Sequence, residues 1–165
     1  MQYMKLNTTE QHELLSSWQD MPRFLAQMFA EMDDEQARRV IDGHGFSPVE
    51  QVWHLADLES EGFGERIHRL LTEQQPELAD FDGDAVARER AYKTRSLKIG
   101  LQVFQQAREK NIATLKAIRA DQWQRNGTQE GVGEVSLCDM PVFIHQHDES
   151  HVQQIQDWMQ NFKPA

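Results

Sequence analysis

Three of the seven histidines of this chain lie close together near its carboxyl end, in the segment HQHDESHVQQIQDW (145–158). The segment has the periodicity of an amphipathic helix, in which successive side chains are about 100° apart. His147 and His151 then lie about 40° apart at the apolar stripe, whereas His145 lies about 120° from His151 and faces outward or sideways. Two buried imidazoles one turn apart each need a partner for a polar nitrogen. A shared metal ion would serve both, and the alternative is that each bonds separately to a carbonyl or to Asp148.

A third ligand is expected from a facing helix, and His54 in the segment VWHLADLE is one candidate. The main apolar stripe of that helix lies nearly opposite His54, although Leu55 and Leu58 indicate that a second face is partly buried. Spacing alone therefore does not decide whether the third ligand is His54 or a carboxylate. Asp57, about 60° from His54, is either an acceptor that orients this imidazole or a solvated surface group.

A di-iron centre is a second kind of metal site found in four-helix bundles. A di-iron site of the ferritin type needs two Glu-x2-His pairs and two further glutamates. The chain offers Glu65 with His68, and the nearest second pair, Asp148 with His151, begins with aspartate. One such pair is common by chance, so the histidine cluster remains the main candidate site.

Composition limits the class of protein. The chain has 165 residues, 39% of them apolar, which predicts a single globular domain over residues 1–165. The net charge of −10 argues against nucleic acid and anionic membranes as partners. No apolar run is long enough for a membrane span, and no secretory signal is visible. With Cys138 as the single cysteine, no internal disulfide can form, which favours a cytoplasmic location.

Apolar residues recur at intervals of three and four over most of the chain, and no segment alternates for long enough to predict a strand. Ser47, Ser96 and Ser136 are candidate N-caps, the first and last with an acidic residue three positions on. These patterns predict an all-α, antiparallel four-helix bundle. The long connections at 33–47 and 74–96 predict at least one crossover or packed loop, and a short helix is expected at 84–92. The four long helices are expected at about 9–32, 47–73, 96–118 and 136–162.

Three segments resemble the DinB/YfiT-like superfamily of metal-binding four-helix bundles. They are SPVEQVWHLADLE, FDGDAVARERAY and SLCDMPVFIHQHDESHVQQI, and the resemblance extends from Ser47 to the end of the chain. It implies a divalent metal held by one histidine of the second helix and two of the fourth. Those positions correspond here to His54, His147 and His151, whereas His145 falls outside the pattern.

Three neutral ligands leave open coordination positions, as in catalytic rather than structural metal sites. A metal ion held in this way can present bound water or a bound thiol as a nucleophile. The resemblance implies the second, transfer of a low-molecular-weight thiol or thiol-dependent isomerisation. The expected function is therefore a metal-dependent enzyme of the thiol-transferase or hydrolase type, with a small-molecule substrate. The alternative is a non-catalytic stress or binding protein with a structural or vestigial metal. Nickel and zinc are the expected ions, although imidazole accepts several metals. A homodimer is also expected, and the resemblance implies one too. Several aromatic residues fall off or at the edge of their stripes: Trp18, Phe24, Phe29 and Phe143.

Overall fold

A computed structural model of the protein describes residues 3–41 and 45–162. Over these residues the chain is mainly helical, with three short strands. A π-helical segment, Leu58–Gly64, joins two of the helices, and 3₁₀ turns cover Tyr3–Lys5 and Tyr92–Thr94. The α-helices are α1 (Thr8–Met28), α2 (Asp34–Ala37), α3 (Pro48–Asp57), α4 (Glu65–Thr72), α5 (Gly83–Glu89), α6 (Leu97–Lys116) and α7 (Met140–Asn161). The strands are β1 (Glu77–Leu78), β2 (Asn126–Gln129) and β3 (Gly133–Ser136).

The second long helix begins where the sequence predicts. The backbone N–H and the hydroxyl of Ser47 both donate to Glu50 Oε2, at 2.9 and 2.8 Å, and Pro48 occupies the first helical position. Helical backbone angles continue through Leu58 and Gly64 into α4. The predicted helix to about residue 73 is therefore confirmed as α3, the π-helical segment and α4 in succession.

Four long helical units form the bundle: α1, α3–α4, α6 and α7. The main contacts join α3 to α6, α6 to α1, α1 to α7 and α7 to α3. Two apolar clusters occupy the two ends of this arrangement. Because α3–α4 and α6 pass through these clusters in the same order, the two units run in the same direction, and α1 and α7 run in the other. The connection between α4 and α6 must therefore return along the bundle, which confirms the predicted crossover.

The two apolar clusters are separated by a layer of buried polar groups. On α6, Phe104 belongs to one cluster and Ile112 to the other, with Arg108 between them. On α7, Ile144 and Ile155 belong to different clusters and bracket His147, Asp148 and His151. The layer also includes the buried side chains of Glu59 and Asn111, whereas His147 is half-buried. The candidate ligands therefore lie at mid-height in the bundle.

Arg108 organises this layer. Its guanidinium donates to both oxygens of Asp148 at 2.7 and 2.9 Å, to Glu59 Oε2 at 2.9 Å and to the carbonyl of Trp18 at 3.1 Å. Arg108 and Glu59 each expose only 2% of their side chains. Asn111 Nδ2 completes the network by donating to the carbonyl and the carboxylate of Glu59, at 2.7 and 2.9 Å. Residues from α1, the π-helical segment, α6 and α7 are thereby joined.

Several predictions about elements were wrong in detail. The helix α7 begins at Met140 rather than at Ser136, because Ser136 ends β3 and its bonds to Asp139 Oδ2 close a turn. The strands β2 and β3 form an antiparallel hairpin, and β1 pairs with β2 in parallel, where the sequence predicted only a connection. The helix α1 ends at Met28, four residues earlier than expected.

The aromatic residues from which a dimer surface was predicted pack within the chain. Trp18 and Phe29 are 1% and 3% exposed, because α1 packs against both α6 and α7 and so buries two of its faces. Phe24 and Phe143 are partly buried against the two apolar clusters. The sequence argument for surplus apolar surface was therefore wrong for Trp18 and Phe29, whereas Phe24 and Phe143 keep part of their surface exposed.

Replacing Arg108 by methionine should lower the free energy of unfolding by about 3–5 kcal/mol, because it leaves two buried carboxylates without a counter-charge. Urea denaturation followed by circular dichroism measures this loss. Arg119→Met is the matched control, since Arg119 pairs with Asp121 at 3.0 Å while their side chains are 67% and 70% exposed. That control should change stability by less than about 1 kcal/mol. Equal, small losses in both variants would contradict the role assigned to Arg108.

Candidate metal site

Three imidazoles converge between α3 and α7 in the polar layer. His54 comes from α3, and His147 and His151 come from successive turns of α7. One ligand atom from each lies within 4.8 Å of the other two. The Nε2 atoms of His147 and His151 are 3.1 Å apart. Two ligand nitrogens of a tetrahedral ion with bonds of about 2.0–2.1 Å are about 3.3 Å apart, so this pair is already close to the spacing that such an ion requires.

Gln51, one turn before His54 on α3, orients His151. The Gln51 amide nitrogen donates to Gln154 Oε1 at 2.9 Å, which directs its carbonyl oxygen at Nδ1 of His151. Nδ1 of His151 is therefore the protonated nitrogen that donates to Gln51, and its Nε2 carries the lone pair. An outer hydrogen bond of this kind is how metal-binding histidines are usually fixed in one tautomer.

His54 is positioned by packing rather than by a hydrogen bond. Its ring lies 5.4 Å from that of Phe46 and 6.1 Å from that of Phe81, between centroids. Gly83, the first residue of α5, approaches so closely that a Cβ there would lie 2.5 Å from Cε1 and 2.6 Å from Nδ1 of His54. Nδ1 is buried and has no partner within the described part of the chain, whereas buried polar groups ordinarily have one.

Asp57 does not orient the imidazole of His54 through a hydrogen bond. Its carboxylate accepts hydrogen bonds from the Tyr92 hydroxyl at 2.5 Å and from Arg90 at 2.7 Å, rather than from His54. Arg90 also forms a two-point ion pair with Glu61. Asp57 therefore ties the crossover to α3, and it affects His54 only through its charge.

Burial keeps the three imidazoles neutral. It lowers the pKa of His54 below the usual range, against the opposing effect of Asp84 and Asp57. Burial, reinforced by the neighbouring histidines, lowers the pKa of His147 to about 3 and that of His151 to about 4. Since neutral imidazole is the form that binds metals, all three are in the binding form at pH 7. Three neutral nitrogen donors form a ligand set that suits a divalent cation such as zinc or nickel.

His145 lies apart from the cluster, on the flank that its angle predicts. Its Nδ1 is 3.0 Å from the hydroxyl of Ser17, and its Nε2 is 3.4 Å from Glu149. Within the described residues, the cluster that could hold an ion comprises only the three other histidines.

An open cavity of about 530 Å³ lies beside the cluster and is lined by His54 and His151. Phe46, Phe81 and Gln154 form part of its wall. A larger cavity, of about 650 Å³, lies between α1 and α6 and contains none of the three histidines. The smaller cavity therefore offers a small molecule a route to the cluster.

Sequence reasoning missed three residues that shape the site. Arg108 follows Phe104 and precedes Ile112 by four residues each, so its place within an apolar stripe was a usable signal. Gln51 precedes Leu55 by four residues and carried the same signal. No periodicity indicated a role for Gly83, because its contact with His54 depends on the path of the crossover.

Comparisons with known proteins were consistent with this geometry. The family model described as the DinB superfamily matches residues 16–155. Among solved structures, the chain is similar to YfiT from Bacillus subtilis, described as a probable metal-dependent hydrolase with an unusual four-helix bundle topology. The TM-score is 0.78 at 21% identity, over 93% of this chain and 90% of YfiT, and this likeness shows the fold. A search of curated proteins found no match. Since the family model spans most of the sequence, including all three histidines, the chain belongs to the DinB superfamily.

Proposed function

We propose that this protein is a metal-dependent enzyme in which His54, His147 and His151 hold one divalent cation, nickel or zinc. The observation that carries the proposal is the convergence of three neutral imidazoles, two of which, His54 and His151, line an open cavity. A structural site would be expected to close the ion with a fourth protein ligand. Here the cluster within the described residues stops at three, and a cavity adjoins it.

The reaction proposed is hydrolysis of a small molecule, with transfer of a low-molecular-weight thiol as the second candidate. The description of YfiT as a probable metal-dependent hydrolase favours the first. The transfer of a thiol is supported by the family resemblance alone. A divalent cation held by three imidazoles would supply Lewis-acid activation of water or of a thiol. A non-catalytic protein with a structural metal remains the alternative, and the open cavity counts against it.

The chain's own residues would prepare the site in separate ways. The Gln51 side-chain oxygen accepts a hydrogen bond from the Nδ1–H of His151 and so keeps the lone pair of this ring on Nε2. The edge contact of Phe63 with His147, at 5.7 Å between centroids, limits the tilt of that ring. Gly83 closes one side of His54 while leaving the cavity open.

Two further expectations from the sequence stay predictions. A homodimer now rests on the family resemblance, since Trp18 and Phe29 are buried within one chain. A cytoplasmic location rests on the single, buried cysteine, Cys138. No helix within residues 3–41 or 45–162 is long and apolar enough to cross a membrane.

Replacing His151 by alanine should remove most of the bound metal and leave the bundle folded, because the apolar clusters supply most of its stability. Elemental analysis of the purified variants, with circular dichroism as the test of folding, measures both effects. His145→Ala is the matched control from the same helix and should retain the metal. Loss of metal from the His145 variant together with retention in a His54→Ala variant would show that the ligands are wrongly assigned.

Replacing Gly83 by alanine should weaken metal binding by about 10- to 100-fold, the range seen when groups that orient a ligand are lost. The new Cβ would meet the ring of His54 at 2.5 Å, so this ring must move. Titration of the metal-free protein with zinc against a competing chelator measures the affinity. Glu89→Ala, an exposed change on the same helix, is the control. Unchanged affinity in the Gly83 variant would contradict the packing role of Gly83.

Metal affinity should depend weakly on pH. Three unperturbed histidines of pKa 6.5 would lose on the order of 10⁴-fold in affinity between pH 7 and pH 5, because protons compete for each ring. Here burial lowers the pKa of His147 to about 3 and that of His151 to about 4, so both stay neutral over that interval. The pKa of His54 is lowered as well.

We therefore expect a loss of less than about 100-fold between pH 7 and pH 5, with the steep decrease only at lower pH. The same chelator competition, repeated at half-unit steps of pH with correction for protonation of the chelator, measures the profile. A steep decrease that begins near pH 6.5 would show that the imidazoles are solvated rather than buried.

A further inference from the structure

The cavity beside the three histidines is acidic. The charged residues that line its described part are all aspartates: Asp80, Asp82 and Asp84. All three are exposed, whereas His151 is buried and His54 is half-buried. The aspartates therefore form an outer rim around a neutral imidazole wall.

The charges of this acidic rim are poorly compensated. Asp80 is 3.9 Å from Arg66, and its side chain is 67% exposed, so solvent weakens this contact. Asp82 accepts a hydrogen bond from the backbone N–H of Ala85 and thereby caps α5, and this bond supplies no full positive charge. Within the described residues, no lysine or arginine lies within ion-pair distance of Asp82 or Asp84. A molecule that enters the cavity therefore first meets negative charge, at the outer rim.

Aromatic rings complete the cavity. Phe46 and Phe81 both line it, and their ring centroids lie 5.4 and 6.1 Å from that of His54. Aromatic faces attract organic cations through the ring quadrupole, and the attraction increases where water is displaced. Carboxylates beside aromatic rings therefore favour an ammonium group bearing alkyl carbons over a neutral or anionic group.

We propose that the site takes small organic cations, molecules that carry an ammonium group a few bonds from the group that meets the metal. This inference rests on the proposed function and names its substrate class. The ammonium group lies at the rim of Asp80, Asp82 and Asp84, and the reacting group faces His54 and His151. A thiol that carries carboxylates is disfavoured by the same charges, so the acidic rim favours the hydrolase over the transfer of an anionic thiol.

Two matched thiols test this charge selection. Thiocholine and 2-mercaptoethanesulfonate share a two-carbon spacer, carry opposite charges and have head groups that bind metals weakly. Each is titrated into the cobalt(II)-loaded protein, where coordination of the thiol changes the visible absorption. The triple variant Asp80→Asn, Asp82→Asn, Asp84→Asn removes the acidic rim and keeps a capping acceptor at position 82. The equally neutralised control is Glu13→Gln, Glu109→Gln, Asp121→Asn, whose three positions lie outside the cavity.

The quantity compared is the ratio of the two dissociation constants, because the change in this ratio between proteins cancels intrinsic differences between the thiols. We expect the preference for thiocholine to fall about tenfold or more in the rim variant and to persist in the control. The preference should also weaken as salt is added, since the rim is exposed. An unchanged ratio in the rim variant, or no spectral response to either thiol, would overturn the inference while leaving a metal-loaded His151-dependent site intact. Failure of the protein to bind cobalt, or undiminished binding by His151→Ala, would overturn the proposed function itself.

Discussion

The ion network centred on Arg108 is the interaction on which the rest of the structure depends. A four-helix bundle is stabilised by apolar contact, yet this one contains an arginine and two carboxylates at mid-height, between its two apolar clusters. Such groups are tolerated only when every charge is paired and hydrogen-bonded. The two-point contact of Arg108 with Asp148, and its contact with Glu59, meet that requirement. Because Asp148 adjoins His147, the same contact also fixes the turn of α7 that presents a candidate ligand.

The π-helical segment and the crossover follow from this arrangement. Glu59 lies in the π-helical segment, and its backbone carbonyl accepts a hydrogen bond from Asn111, which supplies a partner for a backbone group in this irregular turn. Such turns inside α-helices often mark functional sites. The crossover returns along the bundle and brings Gly83 against His54 at mid-height. Its anchor is Asp57, which bonds Tyr92 and Arg90 beyond α5. The topology and the site are thus linked through one connection.

The sequence predicted those parts of the structure that depend on local periodicity and capping. The four-residue spacing of His147 and His151 placed them side by side, and Ser47 and Ser96 marked the starts of two helices. It did not predict what depends on contacts distant in sequence. On angle alone Asp57 was either an acceptor for His54 or a solvated surface group, but its partners are 33 and 35 residues away. His54 itself was placed by resemblance, since a helix that is buried on two faces carries no single stripe from which its position could be inferred.

The central claim is that three imidazoles of this chain share one metal ion, and X-ray absorption at the metal edge tests it most directly. The extended fine structure of the zinc- or nickel-loaded protein counts imidazole ligands through the multiple scattering of their outer ring atoms. The account predicts three imidazoles at about 2.0–2.1 Å together with oxygen donors from solvent. A spectrum that requires one imidazole or none, or that shows only oxygen ligands, would contradict it.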